Sequence, residues 1–316
     1  MDLFLTSLEF AFGVTGPILL VVGLGTFLAS RGQLSEAFID DGSRLVFNFA
    51  LPALLFITIS KTRFETTANP VLITMGVAGT LLVFGVMALL ARFLIAQKGD
   101  RGVAIQGAYR GNLGVVGLAY CVNAYGEAGL AAASLYVGLI TILYNIIAVL
   151  SLNHYLGQHR SAGKAVKALI TNPLILGIVL ALPVSYFGWG LPGVFIQAGE
   201  YFAQITLPLA LLCTGASLSV AALRHDPRDA LFGTLGKALL SPLLITGLAL
   251  ALGFRGMELG ILFLMAAPPT AASSYVMVRA MGGNAGLAAN IIVLSTAASL
   301  LFTSLGLTAL HAFGLM

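Results

Sequence analysis

Charge is scarce in this chain of 316 residues. Asp, Glu, Lys and Arg make up 9% of it against 59% hydrophobic residues, and the mean hydropathy is +0.99. Soluble domains carry roughly 25% charged residues, so the composition excludes a water-soluble fold and makes lipid the solvent. No Ser/Pro-rich linker or charge block divides the sequence, which excludes an attached soluble domain. Cysteine is nearly absent, and Cys121 and Cys213 both lie in apolar runs, where a thiol behaves as a small apolar side chain, so the sequence gives no support to a disulfide. The motifs H-E-x-x-H and G-x-S-x-G are missing, and His154, His159, His225 and His311 fall in loops or near the C-terminus. No enzymatic activity, cofactor or metal is therefore expected. The formal charge of +4 reports membrane topology before ligands, and no nucleic-acid partner is expected. Asp2 and Glu9 without a basic leader mark the first apolar run as a retained helix.

What is present is a series of apolar runs long enough to cross about 30 Å of hydrocarbon. Cutting at the charges gives ten: Phe10 to Ser30, Leu45 to Ser60, Thr66 to Ala91, Gly102 to Gly126, Ala128 to Asn153, Ala168 to Gly199, Tyr201 to Leu223, Ala238 to Phe254, Leu259 to Val278, and Ala280 to the C-terminus. The fold class read from them is an all-α integral membrane protein with ten transmembrane helices. Loops 1-2, 3-4, 5-6, 7-8 and 9-10 hold twelve Lys and Arg, namely Arg31, Arg44, Arg92, Lys98, Arg101, Arg160, Lys164, Lys167, Arg224, Arg228, Lys237 and Arg279. The opposite side holds three, Lys61, Arg63 and Arg255. Positive charge marks the cytoplasmic face, so both termini of a multi-pass protein of the cytoplasmic (inner) membrane are expected to be non-cytoplasmic.

The chain also repeats itself. Thr15-Gly-Pro17-Ile-Leu-Leu returns as Thr171-Asn-Pro173-Leu-Ile-Leu, Leu51-Pro52-Ala-Leu-Leu as Leu207-Pro208-Leu-Ala-Leu, and Ala128-Gly-Leu-Ala-Ala132 as Ala285-Gly-Leu-Ala-Ala289, at separations of 156 or 157. Residues 1–156 and 157–316 are thus expected to be two five-helix repeats. An odd number of spans per repeat inverts the second copy, giving 5+5 inverted repeats, an architecture of secondary transporters.

Two spans, each fourth in its repeat, carry interruptions. Arg110-Gly111-Asn112-Leu-Gly114-Val-Val-Gly117 gathers glycine, an amide and a cation, and Pro268-Pro269-Thr270-Ala-Ala-Ser273-Ser274-Tyr275 places two prolines near the centre of the ninth span. Proline removes a backbone donor and clashes with the preceding turn, so helix breaks are expected at Gly111, Gly117, Pro268 and Pro269. Unwound backbone at this depth survives only in packed protein or beside a wet cavity, and paired breaks point to a transporter's central site. The candidate substrate-binding residues are Arg110, Asn112, Gly114, Pro268, Pro269, Thr270, Ser273 and Ser274. Arg110 is the one ionisable residue clearly within an expected span; its guanidinium either takes a carboxylate through two parallel hydrogen bonds or snorkels and caps freed carbonyls. Asn123, Asn145 and Asn290 read as interhelical hydrogen-bonding groups. A channel and a membrane sensor are the competing classes.

These residues resemble the auxin efflux carrier family, part of a wider group with the bile acid/sodium symporter fold, in a bacterial-type member. The resemblance covers the whole chain and rests on Phe49-Ala-Leu-Pro52, Arg110-Gly-Asn112-Leu-Gly114, Leu209 to Ser217, and Ala267-Pro268 through Gly282-Gly283-Asn284. It implies that spans 4 and 9 cross as broken helices with substrate at the crossing, that spans 1, 2, 6 and 7 form a scaffold, and that spans 3, 4, 5, 8, 9 and 10 move against it as an elevator. It also implies a small mono- or dicarboxylate substrate such as malonate or malate, contact with membrane lipid, and a scaffold-mediated homodimer. The family often has proline after the Asn-x-Gly of span 4, whereas this chain has Gly117-Leu118, which implies a less sharply broken fourth span. Sodium-coupled relatives use a carboxylate in span 9, and this chain has no Asp or Glu after Glu258, which weighs against the alternative of a bile-acid-type sodium symporter.

Overall fold

In the computed structural model, residues 2–61, 69–157, 171–218 and 227–316 are described. The expected features at Arg63, Arg160, Lys164, Lys167, Arg224, His159 and His225 lie outside these residues. The described chain is helical throughout: α1 Asp2–Ser30, α2 Glu36–Lys61, α3 Pro70–Leu94, α4 Lys98–Tyr109, α5 Leu113–Leu156, α6 Pro173–Phe187, α7 Gly193–Ala216, α8 Pro227–Ala251, α9 Gly256–Ala266, α10 Ser273–Ala280 and α11 Ala285–Ala312. Six of them, α1, α2, α3, α5, α8 and α11, are long and apolar enough to cross a membrane. Leu20, Phe93 and Val194, each at least 75% exposed, turn outward on an apolar surface that water would not tolerate but lipid does.

Helix starts are written in local chemistry. Asn69 and Asn172 each precede a proline, and their side chains accept backbone N–H groups of the first turns of α3 and α6, while Pro70 and Pro173 occupy positions whose missing donor costs nothing. Ser35 and Asn284 cap α2 and α11 in the same way. Inside α5 the helix axis turns at Gly126, whose φ of 60° and ψ of −143° are accessible essentially to glycine alone. That turn separates the fourth and fifth apolar runs without a polar loop.

Several boundaries depart from the hydropathy reading. The run from Ala168 to Gly199 is not one helix: α6 ends at Phe187, Gly188 turns left-handed at φ 62°, and α7 starts at Gly193, eight residues before the expected Tyr201. The connection hides in hydropathy because Trp189 and Leu191 are themselves apolar, as suits a loop at a membrane interface. α2 and α8 begin well before Leu45 and Ala238, because charged first turns belong to the helices. Lys237 is consequently not a loop residue but lies within α8, buried.

The helices associate in two groups. α1 packs along α7, and α2 packs along α6 and α7. Small residues allow the closest approach: a Cβ on Gly215 of α7 would stand 1.9 Å from the Val22 carbonyl of α1, and one on Gly25 would stand 2.2 Å from the Leu212 carbonyl. In the second group α4 packs against α3, α5 and α8, while α8 also meets α3, α9 and α11. α1 joins the groups through α5 and α11, for example by the Asn123 Nδ2 donor to the Val14 carbonyl at 2.9 Å.

Candidate functional site

The backbone of α4 leaves helical geometry at Arg110, which has ψ 85°, and remains outside it at Asn112, which has ψ 69°, before α5 opens with a π-helical turn, Leu113–Gly117. The backbone of α9 stops at Ala266 and resumes in α10 at Ser273, with Pro268 and Pro269 between. The two non-helical stretches meet. Asn112 N–H donates to the Pro269 carbonyl at 2.8 Å and Ala271 N–H donates to the Arg110 carbonyl at 3.0 Å, so that Gly111 and Thr270 face each other as an antiparallel bridge. Each break therefore supplies partners for backbone groups that the other has freed, which low-dielectric surroundings require. This pairing explains why the first break is complete although no proline enforces it. Gly117 has helical dihedrals and is not a break residue; lacking a Cβ, it lets Met265 and Pro268 pack against its backbone.

Side chains lock the crossing from outside. Thr270, 3% exposed, donates through Oγ1 to the Gly107 carbonyl at 2.6 Å, and its N–H donates to Ser295 Oγ of α11 at 3.1 Å. Pro268 and Pro269 shape the turn. Ser274 is buried, and its hydroxyl has no hydrogen-bond partner among the described residues.

Arg110 extends away from this backbone toward α5 and α10. Its Nη2 donates to Asn145 Oδ1 at 2.8 Å, longer contacts of 3.4 Å reach Ser273 Oγ and the Tyr144 carbonyl, and the residue is 7% exposed. The guanidinium is buried against protein. No carboxylate pairs with it among the described residues. A cleft of about 60 Å³ opens beside it, lined by Arg110, Gly111, Asn112, Gly114 and Ser273 from the crossing and by Phe47 of α2, Thr141 and Tyr144 of α5 and Leu174 of α6. A buried water needs roughly 10–15 Å³ of such space, so a few waters or one carboxylate headgroup fit. The first turns of α5 and α10 also open on the cleft, and helix N-termini favour negative charge.

Of the sequence candidates, Arg110, Asn112, Gly114 and Ser273 line this cleft, while Pro268, Pro269, Thr270 and Ser274 are not among its lining residues. Asn145 and Phe47 were not singled out as site residues. Nothing in a single sequence distinguishes Asn145 from the other intramembrane amides. A larger cleft of about 550 Å³ lies among Arg92, Lys98, Arg101 and His154 at the ends of α3, α4 and α5, remote from either break.

This helical chain matches the description "Membrane transport protein" over residues 12–307. The chain belongs to the auxin efflux carrier family. Among similar proteins of that kind, an "Uncharacterized transporter" of Methanothermobacter thermautotrophicus is 28% identical over 90% of this chain and 93% of its own length. "Uncharacterized transporter MJ1031" of Methanocaldococcus jannaschii is 27% identical over 91% and 95%. A protein of Rhizobium meliloti named "Putative malonate transporter" is 25% identical over 85% and 87%. Family membership and six apolar helices make this a multi-pass membrane transporter.

Proposed function

We propose that the protein is a secondary active carrier of a small organic anion, a mono- or dicarboxylate, working by an elevator movement across the cytoplasmic membrane. The observation that carries this reading is the paired backbone break beside Arg110, a buried cation with no carboxylate partner among the described residues of a transporter of this family. An anionic substrate would complete the site, its carboxylate taking the guanidinium and the two helix N-termini. Malonate is the natural first probe, given the name of the Rhizobium relative.

The reading includes ten spans in two inverted repeats, 1–156 and 157–316, with α4 and the first part of α5 as span 4, and α9 with α10 as span 9. Helix boundaries support the duplication: the start at Glu36 recurs at Gly193, and the ends at Leu94 and Tyr109 recur at Ala251 and Ala266, each 157 residues later. The scaffold is α1, α2, α6 and α7 and the moving bundle the rest, a division supported by the two packing groups and by a cleft that touches both. A substrate larger than a bare carboxylate headgroup needs the groups to separate at Phe47 and Leu174. Both termini on the non-cytoplasmic side and a scaffold-mediated homodimer belong to the same reading; cysteine labelling of intact cells and crosslinking in membranes test them.

The test of function is malonate uptake into proteoliposomes. Arg110→Ala is expected to abolish uptake while the protein retains its melting temperature and elution profile. Retained transport at unchanged affinity would remove Arg110 from the site.

A further inference from the structure

Lys237 is a second buried basic residue at the crossing, and the anion site does not use it. It lies in the π-helical turn Gly236–Leu240 of α8, is 0% exposed, and donates from Nζ to the Ala266 carbonyl at 2.9 Å. Ala266 ends α9, so the ammonium caps the C-terminal end of a helix interrupted at the crossing, where carbonyls lack helical donors and the dipole is negative. It also touches the other break, because a Cβ on Gly111 would lie 2.8 Å from Nζ and 3.3 Å from Cε. Lys237 does not line the cleft beside Arg110, although Gly111 does. The ammonium therefore belongs to the crossing and not to the substrate surface.

A lysine in a span costs roughly 2.5 to 3.5 kcal/mol on insertion scales, and such groups mark functional positions. The ends of interrupted helices and unwound carbonyls are where secondary transporters hold a coupling cation. Here that place is taken by a side chain.

We propose that Lys237 is the resident cation of the crossing: its ammonium stands where an inorganic monovalent cation would otherwise neutralise the freed carbonyls, so the transport cycle needs no sodium. The inference rests on the crossing being the transport site. Lys237 acts as a positioning residue, holding the end of α9 against Gly111, and does not meet the substrate. It also accounts for a span 9 without a carboxylate, since a fixed ammonium leaves no metal cation for such a group to bind.

The full chain is purified and studied in sodium chloride and in choline chloride at equal concentration. Wild-type melting temperature and malonate uptake are expected to be the same in both salts. Lys237→Ala vacates the ammonium position, so its uptake in choline falls at least tenfold, and sodium raises both its melting temperature and its uptake at least threefold. Lys237→Met fills the space with an apolar stem, and its uptake falls without rescue by sodium. A wild-type protein that melts higher or transports faster in sodium overturns the proposal, and this arm needs no variant to fold. A Lys237→Ala protein indifferent to sodium, or a Lys237→Met protein with wild-type uptake, overturns it as well. Absence of malonate uptake in every protein would count against the carboxylate reading alone, because the melting comparison of wild type and Lys237→Ala still decides the role of Lys237.

Discussion

Asn145→Asp is the sharpest probe of the anion site, because it changes charge with almost no change in shape. Asn145 Oδ1 accepts a hydrogen bond from Arg110 Nη2 at 2.8 Å. A carboxylate at that oxygen's position would attract the guanidinium by about 6 kcal/mol at an effective dielectric constant near 20. Desolvation of the new charge offsets several kcal/mol of this. If only a third survives, about 2 kcal/mol, an external carboxylate must compete with an internal one and binds about 30-fold more weakly. Asn145→Ala removes the hydrogen bond without adding charge. Interhelical hydrogen bonds in membranes average about 0.6 kcal/mol, so this variant weakens binding by only about threefold. The assay is the malonate concentration at half-maximal thermal stabilisation, since a ligand of the native state raises its melting temperature by mass action. The expected order of affinity is wild type, then alanine, then aspartate, with the aspartate variant melting no lower than wild type in the absence of malonate. Asn145→Asp with a wild-type malonate midpoint would refute the reasoning, because Arg110 would then not be holding the anion.

Other expectations concern the supports of the site. Gly215→Ala places a methyl group 1.9 Å from the Val22 carbonyl of α1, and since both atoms belong to helix backbones the helices must part by more than about 1 Å. The separation also breaks the 2.8 Å hydrogen bond from Thr26 Oγ1 to the Gly215 carbonyl, so a loss of about 3 kcal/mol is expected in a detergent-unfolding titration, and an unchanged midpoint would contradict the contact. Ser295→Ala leaves the Thr270 N–H unpartnered at the crossing, at a cost of about 1 to 3 kcal/mol. Hydrogen exchange at the Thr270 amide should then accelerate at least tenfold, whereas wild-type protection would show that the hydroxyl does not hold the turn.

How far the sequence could be read depended on whether the physics was local. Pro268 and Pro269 announce a break in any context, because a missing donor and a steric clash are properties of the residue. The break at Arg110 to Asn112 is another matter. Its glycine and asparagine permit non-helical backbone, but what holds it open is the Pro269 carbonyl, 157 residues away in the chain. Thr270 and Ser274 read as ligands because polar side chains in a span look alike. The structure ties Thr270 to the Gly107 carbonyl and includes neither residue in the lining of the cleft. Lys237 falls in an expected loop for a related reason: hydropathy ends a span at a charge, and no sequence window shows that its amine finds an acceptor on another helix.

The sequence by itself determined the solvent and the helical class, because both follow from side-chain transfer energies and backbone chemistry summed along the chain, and its motifs in their order carried the family resemblance. The tertiary structure alone decided which polar groups converge. It brought the Arg110 and Pro269 backbones together, set Asn145 and Ser273 around one guanidinium, and placed Lys237 at the end of α9. Those are contacts between segments far apart in sequence, and in a lipid-exposed bundle they form only where two interrupted helices leave backbone groups in need of partners.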